Sequence, residues 1–124
     1  MTGWTSEELG KIEAADELEI ASLRPDGTLG SPRTIWVVRV DEDLYVRSVN
    51  GRTSDWFRGT QVRHEGRVRA GGVEKDVLLV ETDDLGDEID AAYRTKYRRY
   101  AATIVGSVLT PEARAATLKL VPRS

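Results

Sequence analysis

The sequence predicts an α+β protein in which a small antiparallel sheet of about six strands curls on itself, with a short helix at the start and one long helix before the last strand. Three observations carry this. Strand-like runs are joined by turn sequences at Pro25-Asp26-Gly27, Asp41-Glu42-Asp43 and Gly71-Gly72. A helical pattern fills residues 89–108, and a last apolar and β-branched run, Thr117-Leu118-Lys119-Leu120-Val121, follows it. A sheet this small must roll to bury its apolar face.

The elements follow in order. In Trp4-Thr5-Ser6-Glu7-Glu8-Leu9, Thr5 and Glu8 form a capping box, and Trp4 is placed to pack on Leu9 as a hydrophobic staple. A helix therefore starts at Ser6 and runs to about Ala15. Glu19 to Arg24 reads as a strand, and Pro25-Asp26-Gly27 turns it into a second one. Residues 33–40, RTIWVVRV, are β-branched and aromatic with both faces partly apolar, as in a strand inside a barrel. Asp41-Glu42-Asp43 turns this run into Leu44–Val49, and a short helical or irregular piece covers Ser54 to Thr60. Arg67–Ala70 and Val73–Val80 flank Gly71-Gly72, whose free access to positive φ suits a tight hairpin. Ile89, Ala92, Tyr93, Lys96, Tyr97, Tyr100 and Ile104 recur at helical spacing, and Thr110-Pro111 stops that helix.

Composition narrows the chemistry. A chain of 124 residues is expected to form one domain over 1–124, and 40% hydrophobic with 31% charged residues is a globular composition. No apolar run approaches the ~20 residues that span a bilayer, and the start of the chain lacks a basic signal-peptide pattern, so a cytoplasmic location with no membrane partner is expected. Zero cysteines and the single His64 leave no cysteine-ligated or multi-histidine metal site. A lone histidine between Arg63 and Glu65 is read as a surface or loop residue. The net charge of −3 disfavours nucleic acid as a partner. The charge is nonetheless segregated. Arg47, Arg52, Arg58, Arg63, Arg67, Arg69 and Lys75 fall between Tyr45 and Lys75, and the acids Glu81, Asp83, Asp84, Asp87, Glu88 and Asp90 follow. A local basic region in an acidic chain suits a small anionic ligand.

The stretch after Tyr45 is the candidate for that ligand. Arg47, Ser48, Gly51, Arg52, Thr53 and Ser54 combine guanidinium forks, short hydroxyls and a permissive backbone, the groups a phosphate needs. They match neither a P-loop nor a dinucleotide fingerprint. The alternative is a solvated hairpin end whose arginines pair with the acidic run. Trp36 and Trp56 could cover a planar ring or fill the core. Lys96 could reach an anion and Tyr97 could donate a proton from one helical face, or that face could simply pack on the barrel.

IWVVRVDEDLYVRSVNGRTSDWFRG, the GRVRAGG hairpin, IDAAYRTKYRRY and TLKLVPR together resemble, over nearly the whole chain, a bacterial family of unknown function catalogued as number 2255. That family is similar to the FMN-binding split barrels, which include pyridoxamine-phosphate-oxidase-like and deazaflavin-dependent nitroreductase-like proteins. The element order derived above fits a split β-barrel. The resemblance implies a homodimeric flavin- or deazaflavin-binding oxidoreductase, with FMN or the deazaflavin coenzyme held by Arg47, Ser48, Gly51, Arg52 and Thr53. Trp56 and Arg58 would flank it, and Trp36, Lys96 and Tyr97 would line a substrate pocket. The alternative it leaves open is a cofactor-free barrel that binds or converts another small anionic or aromatic metabolite.

Overall fold

The computed structural model describes residues 3–123. Helix α1 (Ser6–Ala14) leads into β1 (Leu18–Ser22), β2 (Arg33–Ile35), β3 (Val38–Val40) and β4 (Asp43–Arg47). A 3-10 turn (Gly51–Thr53) and α2 (Asp55–Arg63) connect to the β5 (Glu65–Ala70) and β6 (Val73–Glu81) hairpin. Three helices, α3 (Gly86–Lys96), α4 (Ala102–Gly106) and α5 (Pro111–Arg114), precede β7 (Thr117–Pro122). No helix among the described residues is long and apolar enough to cross a membrane.

The reciprocal capping at α1 is as the sequence predicts: the Thr5 hydroxyl accepts from the Glu8 amide at 3.1 Å and the Glu8 carboxylate accepts from the Thr5 amide at 3.0 Å. Trp4 does more than staple this helix. Its indole Nε1 donates to the Leu120 carbonyl at 2.9 Å, which fixes the start of the chain to β7. Gly71 and Gly72 stand at φ 59° and 84°, the left-handed pair a two-residue hairpin needs. The Pro25-Asp26-Gly27 turn also forms, with Asp26 Oδ1 accepting from the Thr28 amide at 3.0 Å. Beyond it the chain makes only an isolated bridge from Leu23 to Leu29, not the expected second strand.

All pairings are antiparallel, and the strands lie in the order β2-β1-β5-β6-β7-β4-β3. The sequence reads residues 33–40 as one strand; the structure divides them into β2, paired with β1, and β3, paired with β4. These consecutive strands therefore occupy opposite ends of a seven-stranded sheet. In a flat sheet they would lie roughly 29 Å apart at ~4.8 Å per strand, whereas the Cα steps from Ile35 to Val38 reach at most ~11 Å. The sheet has to roll until its ends meet at Trp36 and Val37. This is a split β-barrel.

Two apolar clusters follow from the roll. One fills the barrel, with Leu9, Ile12, Leu18, Ile20, Val37, Leu44, Val46, Phe57, Leu79, Leu118 and Leu120 among its members. The other lies between β3–β4 and the helices after β6, with Val38, Tyr45, Ile89, Tyr93, Tyr97, Val105 and Val108. Strand β4 is thus covered on both faces, which explains its three consecutive buried residues, Leu44, Tyr45 and Val46. The long helix expected over 89–108 is interrupted: α3 ends at Lys96, Tyr100 N bonds Tyr97 O at 3.0 Å in a turn, and α4 starts at Ala102. The apolar spacing continues through the interruption, so periodicity alone does not reveal it.

Two glycines give opposite predictions. A Cβ on Gly66, in β5, would lie 2.4 Å from the Ala21 carbonyl oxygen of β1, a paired backbone atom with no freedom to move. Gly66→Ala is expected to lower unfolding free energy by about 1–3 kcal/mol, as overpacking does. Gly10, exposed inside α1, has open space around it, so Gly10→Ala should raise stability by about 0.5–1 kcal/mol. Urea unfolding midpoints of the two variants check both signs.

Candidate functional site

A cleft of about 350 Å³ opens where the two ends of the sheet meet. Ile35 and Trp36 reach it from the β2–β3 link, Val49 and Asn50 from the turn after β4, Trp56 from α2, and Ile104 and Val108 from the α4 segment. Glu17 and Thr34 add polar groups. Trp36 is held in place by the Tyr97 ring, stacked at a centroid distance of 3.9 Å and an interplanar angle of 6°. Trp56 packs edge-on to buried Phe57 at 6.0 Å. Two indoles with fixed neighbours therefore border one cavity. Trp56 also borders a second depression, of about 260 Å³, whose lining includes Ser22, Arg24, Ser31 and Arg33.

The donors expected to hold phosphate are placed differently. The Arg47 side chain has no solvent exposure. Its Nη1 donates to Asp90 Oδ1 at 2.5 Å and to Val108 O at 2.9 Å, and its Nε donates to Thr117 Oγ1 at 3.1 Å. Its Nη2 reaches Gly86 O at 3.3 Å. The guanidinium is spent on joining β4 to α3, β7 and the residue that walls the cleft. Ser48 is buried, with its Oγ 2.7 Å from Ser54 Oγ. Gly51 stands at φ 79° against Glu112 of α5. Arg52 pairs with Glu81, donates to Ala115 O at 3.2 Å and lies over the Phe57 ring. Thr53 and Arg58 are exposed, and Arg58 has no ion-pair or hydrogen-bond partner among the described residues. Arg47, Ser48 and Arg52 are thus each bonded within the chain, Arg47 lines the cleft, and Arg52 keeps an exposed side chain bonded through Nη1 alone.

The expected pocket of Trp36, Lys96 and Tyr97 is also divided. Tyr97 is buried; its hydroxyl accepts from Val37 N at 3.2 Å and donates to Asp16 O at 2.6 Å, and it also lies 3.2 Å from Val37 O. Burial pushes its pKa up, so it is a clamp and a poor proton donor. Lys96 Nζ donates to Val37 O at 2.7 Å and borders a separate groove on the far side of the link. Burial lowers its pKa to about 8. The Tyr93 hydroxyl is buried without a hydrogen-bond partner among the described residues; the Arg47 backbone beside it falls outside hydrogen-bond geometry, and burial raises its pKa. Sequence reasoning did not select Arg33, Ile104 or Glu17. For Arg33 a signal existed, a cation opening an apolar strand after Pro32; Ile104 and Glu17 join the cleft only through tertiary folding.

A rolled antiparallel sheet closed at a two-residue link, with a ring-lined cleft beside that link, defines a split-barrel protein. The chain belongs to the family described as uncharacterized proteins conserved in bacteria (DUF2255), whose model matches residues 8–120. No curated protein matches it. Solved structures share the fold at low identity. A conserved hypothetical protein from Mycobacterium tuberculosis is 11% identical with a TM-score of 0.69, covering 99% of this chain and 83% of its own. An F420 reductase is 15% identical with a TM-score of 0.61, over 92% of this chain and 90% of its own. An FAD-binding protein from Mesorhizobium loti is 16% identical with a TM-score of 0.60, over 98% and 91% respectively.

Two predictions follow from the buried polar groups. Arg47→Met removes the buried partner of Asp90 and leaves it only Arg114 Nη1 at 3.8 Å, so it should cost up to about 3–5 kcal/mol of stability; calorimetry will show this as a fall in melting temperature. The second concerns Lys96. Its folded pKa is lowered to about 8 from 10.5, so between pH 8 and pH 10 the unfolded chain binds more protons there and stability rises with pH. Above about pH 10 the raised pKa values of Tyr93 and Tyr97 act in the opposite direction. The difference in stability between wild type and Lys96→Met, followed from pH 7 to pH 10, should shift towards wild type as pH rises.

Proposed function

We propose that this protein binds a flavin or deazaflavin, FMN or the F420-type coenzyme, in the cleft between Trp36 and Trp56 and acts as a small cytoplasmic oxidoreductase. One observation carries the reading: two indoles, each fixed by an aromatic neighbour, border one 350 Å³ cavity with apolar walls from Ile35, Val49, Ile104 and Val108. That volume lies in the range of small-ligand sites, and paired aromatic walls suit a planar ring. The F420 reductase and the FAD-binding protein with the same fold favour a ring of this kind.

When bound, such a cofactor supplies the hydride chemistry. The chain's own residues bind and orient. Trp36 and Trp56 cover the ring, and Ile104 and Val108 keep water from it. Arg33, which borders the lobe beyond Trp56 and has no side-chain partner among the described residues, takes the phosphate with Ser31 of the same lining; Thr53 and Arg58 line neither depression. Arg47 borders the cleft itself with its guanidinium bonded to Val108 O, and Ser48, Gly51 and Arg52 hold the loop that carries Thr53. The working unit in this reading is a homodimer. Val49 and Ile104, 47% and 49% exposed at the cleft, and Leu78 and Val80 on β6 are apolar surface that a second copy would cover. A second reading is favoured by the commitment of Arg47, Ser48 and Arg52 to internal bonds: a cofactor-free barrel whose cleft takes another aromatic anion.

Titration with FMN and with F420, followed by tryptophan fluorescence, separates the two readings. The first expects saturable quenching by one of them. The quench should shrink in Trp36→Phe and Trp56→Phe, because Trp4 is buried against Leu120 on another part of the barrel. Arg33→Ala should weaken binding by about 1.5–3 kcal/mol, the worth of a hydrogen bond to a charged group. No saturation with either cofactor selects the second reading, and Arg33→Ala binding like wild type removes Arg33 from the phosphate site.

A further inference from the structure

A groove of about 680 Å³ lies between α1, β3 and α3, on the other side of the Trp36–Val37 link from the indole cleft. Arg39, Lys96, Arg98 and Arg99 line it, against Glu13 and Glu88. The lining thus carries four cations and two carboxylates, and Glu42 and Asp16 stand at its edge. Arg39 is paired with Glu13 and Glu42, and Arg99 with Asp16. Arg98 is exposed and has no partner among the described residues.

Lys96 differs from every other lysine of the chain. Lys11 lies 3.2 Å from Glu7, Lys75 lies 3.1 Å from Glu8, and Lys119 lies 3.5 Å from Asp43. Each has a carboxylate within ion-pair distance. Lys96 is half-buried and has no carboxylate within ion-pair distance; its Nζ donates to the Val37 carbonyl at 2.7 Å. A neutral amine can make that bond with one N–H and still present its lone pair to the groove.

We propose that Lys96 is a reactive amine that condenses with small anionic carbonyl compounds, such as 2-oxo acids, held in the α1–β3–α3 groove by Arg98. A desolvated lysine beside other cations is the arrangement that activates an amine as a nucleophile. The charged groups facing it are Glu13 from α1, Asp16 from the turn after α1, Arg39 from β3, and Glu88, Arg98 and Arg99 from α3 and its end. Glu13 and Asp16 favour the ammonium and Arg99 disfavours it, but burial outweighs all three and brings the pKa to about 8. In the reaction the Nζ lone pair attacks the carbonyl carbon and the carbonyl electrons move to oxygen, which takes a proton. The resulting carbinolamine loses that oxygen as water and leaves a C=N bond, with no change of oxidation state. Glu13 and Glu88 are the groove carboxylates able to carry the protons. This site stands apart from the flavin reading and does not depend on it.

The test is reductive trapping on the 124-residue chain at pH 7.5 with glyoxylate and cyanoborohydride, followed by peptide mass mapping. Lys11, Lys75 and Lys119 serve as controls within the same molecule. Lys96 is expected to be modified at least about tenfold faster than any of them, as a desolvated amine should be. Arg98→Ala should lower the rate with glyoxylate and leave the rate with neutral propionaldehyde unchanged. Equal modification of all four lysines overturns the reactive amine. Preferential modification of Lys96 that Arg98→Ala does not alter overturns the anion recognition.

Discussion

The bonds to the backbone of Val37 hold this fold closed. Val37 sits between the two strands that end the sheet, where no neighbouring strand can pair with it, and it is fully buried. A buried peptide group without a partner costs about 1–3 kcal/mol. Here side chains take the place of a strand: the Tyr97 hydroxyl accepts from Val37 N, and Lys96 Nζ donates to Val37 O. Tyr97 also stacks on Trp36 and donates to Asp16 O before β1. The last turn of α3 thus closes the barrel, fixes one wall of the indole cleft and sets the position of the groove behind it.

Helix α3 can do this because its other end is fixed as well. Asp90, in its first turns, receives Arg47 from β4, and the same guanidinium reaches Val108 O beyond α4. A buried ion pair is seldom a net gain over apolar packing, but it specifies one geometry among several. Two anchors on one helix leave α4 suspended between Tyr97 and Val108. The cleft wall is therefore attached to the barrel core rather than to a free loop, which suits a site that must present a rigid slot to a planar ligand.

Local chemistry was legible in the sequence and long-range closure was not. The Thr5–Glu8 capping box and the Gly71-Gly72 turn depend on residues within a few positions of one another, and both occur as read. The run RTIWVVRV contains no glycine or proline, and nothing in it marks the place where β2 hands over to β3. That break arises because the sheet must meet its own edge. The same holds for residues 97–100, YRRY, where the helix stops although the apolar spacing continues. Trp36 and Trp56, twenty residues apart in sequence, were both legible as ring-covering candidates, but their meeting at one cleft required the roll.

Charge shows the limit of reading function from composition. The basic region from Arg47 to Arg69 suggests several donors for one anion, yet most are neutralised in place: Arg47 by Asp90, Arg52 by Glu81, Arg63 by Glu65, Arg67 by Asp76 and Arg69 by Glu19. The four pairs other than Arg47–Asp90 are at the surface and add only about 0–1 kcal/mol each to stability. Their effect on recognition is larger, because a guanidinium already bridged to a carboxylate has fewer N–H groups to offer and less net charge to attract a ligand. The cations that carry information are those the pairing leaves over. Arg33 beside the indole cleft and Arg98 beside Lys96 are two such residues, and each lines a concavity. An acidic chain can in this way keep an unpaired cation at each of two concavities, provided its carboxylates are placed against the other arginines.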